Sequence, residues 1–186
     1  MNNTNIANIL QWNCNGFYAH LPELNLLLSK YNPFIFCIQE SRFRPLHQPK
    51  MNGYQCFYKN NENFINASGG VLIGVKLSIQ SREIYINTNI QAVAVEVSCP
   101  KKLTICNIYI PPQQSITLQE MIQLISQLPK PFILLGDMNA HSTLWGSHLL
   151  NTRGKIFEDL LLNSQLVLLN SGSSILTLIF RMVLLQ

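Results

Sequence analysis

Pro131-Phe-Ile-Leu-Leu-Gly-Asp-Met-Asn139 is the stretch on which the fold reading turns: an unbroken apolar run delivers an acid and an amide at its end. A short continuous apolar segment bounded by turn residues predicts a strand buried on both faces. The same design occurs twice more upstream. Ile6 to Trp12 breaks at Asn13-Cys-Asn-Gly16, and Phe34-Ile-Phe-Cys-Ile38 ends in Gln39-Glu40. Three buried strands that each finish on polar side chains point to one crevice at their C-terminal ends.

Leu21, Leu24, Leu27, Leu28 and Tyr31 recur at helical spacing until Asn32-Pro33, which predicts a short amphipathic helix between the first two strands. Tyr54 to Tyr58 and Gly70 to Lys76 read as further strands around an Asn-rich loop. Val93, Val95 and Val97 alternate with Ala94 and Glu96, and Leu103 to Ile110 alternates similarly, with Cys99-Pro-Lys-Lys102 as the hairpin turn. Thr117 and Glu120 form a T-x-x-E capping box ahead of the stripe Leu118, Met121, Ile122, Ile125 and Leu128. Ile156, Phe157, Leu160 and Leu161 mark a last helix, and Leu166 to Leu169 a last strand before Asn170-Ser-Gly-Ser-Ser. No helix is expected from Tyr54 to Ile110, so a purely parallel doubly wound sheet is excluded in favour of mixed sheets covered by helices.

With 186 residues, 47% apolar and 12% charged, the chain is expected to fold as one domain. Thirteen basic against nine acidic residues give +4, which suits an anionic partner without specifying one. Five dispersed cysteines, Cys14, Cys37, Cys56, Cys99 and Cys106, read as reduced thiols. With no apparent signal segment at the N-terminus, a nuclear or cytoplasmic rather than secreted protein is expected. No apolar run reaches the roughly 18 residues of a membrane span.

Asn13, Glu40, Tyr109, Asp137 and Asn139 all fall at predicted strand ends and form the candidate site. A carboxylate at a core strand end needs a cation or an ion pair; for Glu40 that is a metal, or Arg42 or Arg44. Asp137 and Asn139 equally suit an Asx-type turn. Arg42, Arg44 and Lys50 lie in the loop after Glu40, where they suit an anionic partner or a solvated surface. Trp145 is a candidate for stacking on a base, or a pin that fastens its loop to the core. His141 suits a ligand or, more simply, a solvated side chain.

Four ordered motifs resemble the endonuclease/exonuclease/phosphatase superfamily: Gln11-Trp12-Asn13-Cys14-Asn15-Gly16, Ile38-Gln39-Glu40, Asn107-Ile108-Tyr109-Ile110-Pro111-Pro112 and Leu135-Gly136-Asp137-Met138-Asn139. The string from Gly136 to Gly146 further resembles endonuclease domains of jockey-like non-LTR retrotransposon polyproteins. The resemblance implies an α+β fold of two packed mixed sheets flanked by helices, a four-layer sandwich, spanning 1–172 and incomplete at its C-terminus. It implies Mg²⁺ or Mn²⁺ held by Glu40 with Asn13 beside it as a neutral ligand or orienting amide. Asp137 aligns or activates the attacking water, Asn139 holds a phosphate oxygen, and Tyr109 donates to the phosphoryl group. DNA is the implied partner, bound with the help of Arg42, Arg44, Lys50 and Trp145, without a membrane and with a reverse transcriptase domain in the longer polyprotein. The alternatives are a non-catalytic nucleic-acid-binding remnant, or a phosphatase or phosphodiesterase of the same superfamily.

The chain departs from that pattern after Asp159, the last acidic residue, and His148, the last histidine. A second aspartate and a terminal Ser-Asp-His are absent, and 173–186 reads as an atypical apolar tail, either a core strand or an unpaired edge. The expectation is an endonuclease truncated before its catalytic histidine, and slow for that reason.

Overall fold

The computed structural model describes residues 8–61, 68–98, 101–169 and 182–185. The start of the first strand at Ile6, the turn residues Cys99 and Pro100, the Asn170-Ser-Gly-Ser-Ser segment and the tail up to Arg181 lie outside them.

Two sheets stack face to face. In the smaller, β1 (Ile9–Asn13) pairs parallel with β2 (Ile35–Gln39) through helix α1 (Leu21–Tyr31), and β4 (Val71–Lys76) and β3 (Tyr54–Lys59) continue antiparallel. In the larger, β5 (Gln80–Ile84), β6 (Gln91–Ser98) and β7 (Lys102–Tyr109) run antiparallel; β8 (Phe132–Asp137) joins β7 in parallel after helix α2 (Leu118–Ser126). Beyond α3 (Thr152–Leu162), β9 (Val167–Leu168) closes the edge, and β10 (Met182–Leu185), from the apolar tail, is hydrogen-bonded between β8 and β9.

Alternation distributes the core. Ile35 and Cys37 face the other sheet together with Val71, Val93, Val95, Ile105 and Leu135, whereas Phe36 and Ile38 turn to Leu24 and Leu28 of α1. Ala94, Cys106, Ile108 and Leu134 point the opposite way, onto Met121 and Leu124 of α2 and Phe157 and Leu160 of α3. The layers are therefore α1, small sheet, large sheet, and α2 with α3, the four-layer α+β sandwich expected. The Thr117–Glu120 capping box forms in both directions, with Glu120 N–H on Thr117 Oγ1 at 3.2 Å and Thr117 N–H on Glu120 Oε2 at 2.7 Å.

Strand β5 has no counterpart in the sequence reading. Gln80-Ser-Arg-Glu-Ile84 is polar and exposed, as suits an edge where Arg82 pairs with Glu96 of β6 at 2.9 Å. The described cysteines Cys14, Cys37, Cys56 and Cys106 are free thiols, and burial pushes the Cys14 thiol up to about 11. Among the described residues no helix is long and apolar enough to cross a membrane.

Gly136 sits at φ 145°, where a Cβ would lie 1.9 Å from the Ile108 carbonyl oxygen of the neighbouring strand. Gly136→Ala is expected to cost roughly 3 kcal/mol, from a conformation side chains avoid and from overpacking against backbone. Urea denaturation measures it; a loss below about 1 kcal/mol, the scale of an ordinary surface change, would show that β7 and β8 are free to separate there.

Candidate active site

Both sheets contain one parallel pair, and their registers end in step: Asn13 opposite Gln39 in one, Tyr109 opposite Asp137 in the other. Along these four strands the residues facing the gap between the sheets change from apolar to polar. Ile9, Ile35, Ile105 and Ile133 come first, Gln11, Cys37, Asn107 and Leu135 next, and Asn13, Gln39, Tyr109 and Asp137 last.

At that end the Asn13 side-chain amide donates from one nitrogen to Glu40 Oε1 at 2.8 Å and to Asp137 Oδ2 at 2.7 Å. Its oxygen accepts the Asn15 backbone N–H at 3.2 Å. Asn13 thus turns its amide nitrogen, not its oxygen, toward the two carboxylates, as an orienting amide does. Tyr109 is hydrogen-bonded to Glu40, and burial, then the Glu40 and Asp137 charges, push its phenol well above the ordinary tyrosine range. Asp137 is 2% exposed, and its Oδ1 accepts the Asn139 backbone N–H at 3.1 Å, an Asx turn; Asn139 Nδ2 donates to the Ile110 carbonyl at 3.1 Å. Arg42 closes on Glu40 Oε2 at 3.5 Å. Glu40 has its arginine and Asp137 its Asx turn, and the two acids also share one amide.

Glu40, Arg42 and Asn139 occupy the left-handed region at φ 52°, 51° and 47°. Such conformations cost about 1–3 kcal/mol each and persist where surrounding contacts dictate them. Here Ser41 N–H binds the Gly70 carbonyl at 3.2 Å and Arg42 N–H that of Gly69 at 2.8 Å, holding the loop against β4.

Asn13, Glu40, Tyr109, Asp137 and Asn139 are brought together, with Arg42 at the rim. Arg44 and Lys50 are exposed on the same loop, which Phe43 anchors by packing on Phe17 and Tyr58. Trp145 is corrected: it is 9% exposed, packs in the core beside Phe157, and spends its indole N–H on the Ala140 carbonyl at 3.0 Å. It pins its loop and offers no open face to a base. His141 is exposed, with Nδ1 3.3 Å from Ser147 Oγ, away from the two acids' contacts.

Four participants have no role assigned in the sequence analysis. Gln39 Nε2 donates to Asn107 Oδ1 at 2.6 Å, Asn107 Nδ2 reaches the Ile38 and Leu72 carbonyls at 2.9 Å, and Gln11 Nε2 lies 3.4 Å from Gln39 Oε1. This buried chain ties β1, β2, β4 and β7 directly beneath the acids. The fourth, Arg153 of α3, directs its guanidinium at backbone carbonyls next to the site. The amides were visible as polar interruptions at inward positions of apolar strands; Arg153 carried no such signal.

The donor set fits a hard divalent cation. The Glu40 carboxylate is an oxygen donor of the kind Mg²⁺ takes, with the Asp137 carboxylate on the same amide nitrogen, and that ion needs only one or two protein carboxylates. Among the described residues no group of three or more His, Cys, Asp and Glu side chains that could hold a metal ion occurs, so any ion here would rest on one or two carboxylates.

Comparisons with known proteins bear on the fold and on what the chain is similar to. A family model described as endonuclease-reverse transcriptase matches residues 103–181. The probable RNA-directed DNA polymerase from transposon X-element of Drosophila melanogaster is 28% identical over 167 residues, 88% of this chain and 18% of that protein. The RNA-directed DNA polymerase from mobile element jockey of Drosophila funebris is 27% identical over 164 residues, with 87% and 18% covered. The chain therefore spans less than a fifth of the length of these curated relatives. The solved endonuclease domain of TRAS1, a telomere-specific non-LTR retrotransposon, superposes with a TM-score of 0.71 at 26% identity, covering 88% of this chain and 73% of that one. A 3'-5' exonuclease from Neisseria meningitidis shares the fold at TM-score 0.66 and 16% identity, over 96% and 86%. The resemblance read from the four motifs is borne out: the chain is similar to retrotransposon endonuclease domains and has the endonuclease/exonuclease/phosphatase fold.

Asn107→Leu is expected to destabilise the chain by about 3 kcal/mol, because it strands two buried carbonyls and the Gln39 amide. Chemical denaturation checks this; a change within about 0.5 kcal/mol, as for a surface site, would mean that water takes over the network.

Proposed function

We propose that this chain is a divalent-metal-dependent DNA endonuclease domain of a non-LTR retrotransposon type, nicking target DNA by phosphodiester hydrolysis. The observation that carries the reading is the pair of acids from opposite sheets, Glu40 and Asp137, gathered on one amide nitrogen of Asn13 beside Tyr109. The similarity to the TRAS1 endonuclease domain supports DNA as the substrate. In the longer polyprotein a reverse transcriptase domain would be its partner, at a nuclear or cytoplasmic location.

Glu40 is the residue that would hold Mg²⁺ or Mn²⁺, with Asn13 orienting its carboxylate. When bound, the ion supplies charge neutralisation for the phosphodiester and its departing oxygen. The protein supplies position and proton control, which dominate phosphoryl chemistry. Asp137, fixed by Asn13 on one oxygen and by the Asn139 N–H on the other, takes a proton from the attacking water and aligns it. Tyr109, kept protonated by burial and by the neighbouring acids, donates to a phosphoryl oxygen as its charge grows. Asn139 Nδ2 donates to the Ile110 carbonyl, which orients this side chain beside Asp137, where its amide would meet a phosphate oxygen. Arg42, Arg44 and Lys50 meet the flanking phosphates; a few such contacts give modest, salt-sensitive affinity.

Nicking of supercoiled plasmid in Mg²⁺ tests the reading. Glu40→Ala and Asp137→Ala are each expected to lower the rate by at least about 10²-fold, and Tyr109→Phe by about 10²–10³-fold, while chelation abolishes it. Plasmid cutting that survives Glu40→Ala or chelation would refute the assignment. Arg42→Ala with Arg44→Ala is expected to weaken duplex binding and flatten its dependence on salt; an unchanged dissociation constant would show a merely solvated loop.

A further inference from the structure

Arg153 has no part in the roles above, yet its guanidinium holds a dense set of backbone acceptors beside them. One terminal nitrogen donates to the carbonyls of Met138 at 3.0 Å, Asn139 at 3.4 Å and Ile110 at 3.5 Å. The other donates to Gln114 at 2.7 Å, Pro111 at 3.0 Å and Pro112 at 3.3 Å. These carbonyls belong to two segments only, the one leaving β7 just after Tyr109 and the one leaving β8 just after Asp137. The segments are coupled to each other, since Ile110 N–H binds the Asp137 carbonyl at 3.0 Å. The Ile110 carbonyl is also the acceptor for the Asn139 side chain. From the same helix start, Asn151 Nδ2 holds the Asn139 carbonyl at 3.0 Å while its oxygen caps Gly154 N–H at 2.7 Å.

We propose that Arg153 is a positioning residue for the reaction: its planar fork, anchored on α3, clamps the Ile110–Gln114 and Met138–Asn139 segments and thereby sets the Asn139 side chain and the ends of β7 and β8. The inference rests on the nuclease reading for its catalytic consequence but not for its structural one. Both terminal nitrogens are committed to carbonyls, so a phosphate-binding role is not what the geometry shows. Asn139 stands at φ 47°, a conformation the chain keeps only under outside constraint, and Arg153 with Asn151 is that constraint. A lysine cannot substitute, because three donors on one point cannot span acceptors that a rigid five-donor plane spans.

The test uses the full chain with Arg153→Lys and Arg153→Ala, followed by three readouts: the ¹⁵N–¹H signals and hydrogen exchange of Asn139, the thermal midpoint, and kcat and KM for plasmid nicking in Mg²⁺. In Arg153→Lys the Asn139 signals are expected to shift and broaden and its backbone N–H to exchange faster. The kcat is expected to fall on the order of 10²-fold, as misplacement of a reacting group does, with KM within about twofold. Free guanidinium is expected to restore part of the rate of Arg153→Ala; should that variant fail to fold, Arg153→Lys carries the test alone. Unmoved Asn139 signals overturn the positioning role whether or not the chain cuts. A raised KM at constant kcat, or a rate deficit that vanishes well below each variant's melting midpoint, overturns it as well. Failure of the wild-type chain to nick, with Asn139 disturbed as expected, counts against the nuclease reading and not against the clamp.

Discussion

One side-chain nitrogen, Asn13 Nδ2, joins the two sheets at the point where four strand ends meet, and the site depends on that junction. Two carboxylates drawn this close repel by a few kcal/mol in a partly desolvated setting. Asn13 offsets this by donating to both, Arg42 adds a positive charge on the Glu40 side, and the Asn139 backbone N–H serves Asp137. The arrangement prefers positive charge beside the acids, which is the property a divalent cation requires.

What brings Asn13 there is register. Parallel pairing of β1 with β2 and of β7 with β8 aligns the C-terminal ends in each sheet, and period-two alternation sends the last residues of these strands into the gap between sheets. The gap is apolar at one end and acidic at the other, with the Gln11–Gln39–Asn107 chain as the transition. Gln39 and Asn107 are both hydrogen-bonded in that chain, whereas the Gln11 side-chain oxygen is buried without a hydrogen-bond partner, a state that costs about 1–3 kcal/mol. A one-residue slip in any of the four strands would turn its site residue into the α1 or α2–α3 layer.

Much of this was legible in the sequence because buried parallel strands announce themselves. Phe34 to Ile38 and Phe132 to Leu135 are continuous apolar runs, so the polar residues that end them stand out as needing a reason. The capping box at Thr117 and the stripe behind it specify α2 by local chemistry alone. Strand β5 was hidden for the opposite reason: at a solvated edge, Gln80-Ser-Arg-Glu-Ile84 gains its structure from pairing with β6 and has no pattern of its own. Trp145 carried two readings that only packing separates, and the core claimed it. Arg153 is the extreme case, since a partly buried arginine serving six carbonyls from two distant loops is specified by tertiary geometry and leaves no trace at its own position.

The central claim is that Glu40 holds the cation and that Asp137, brought from the other sheet onto the same amide nitrogen, adds its charge beside it. It is tested most directly by the Mn²⁺ affinity of the chain, measured by calorimetry or paramagnetic broadening in wild type, Glu40→Gln, Asp137→Asn and the double variant. One shared cluster of charge predicts that Glu40→Gln weakens binding at least about tenfold, that Asp137→Asn weakens it less, and that the double loses less than the product of the singles, as coupled neighbours do. Independent, multiplicative losses, or binding untouched by either substitution, would contradict it.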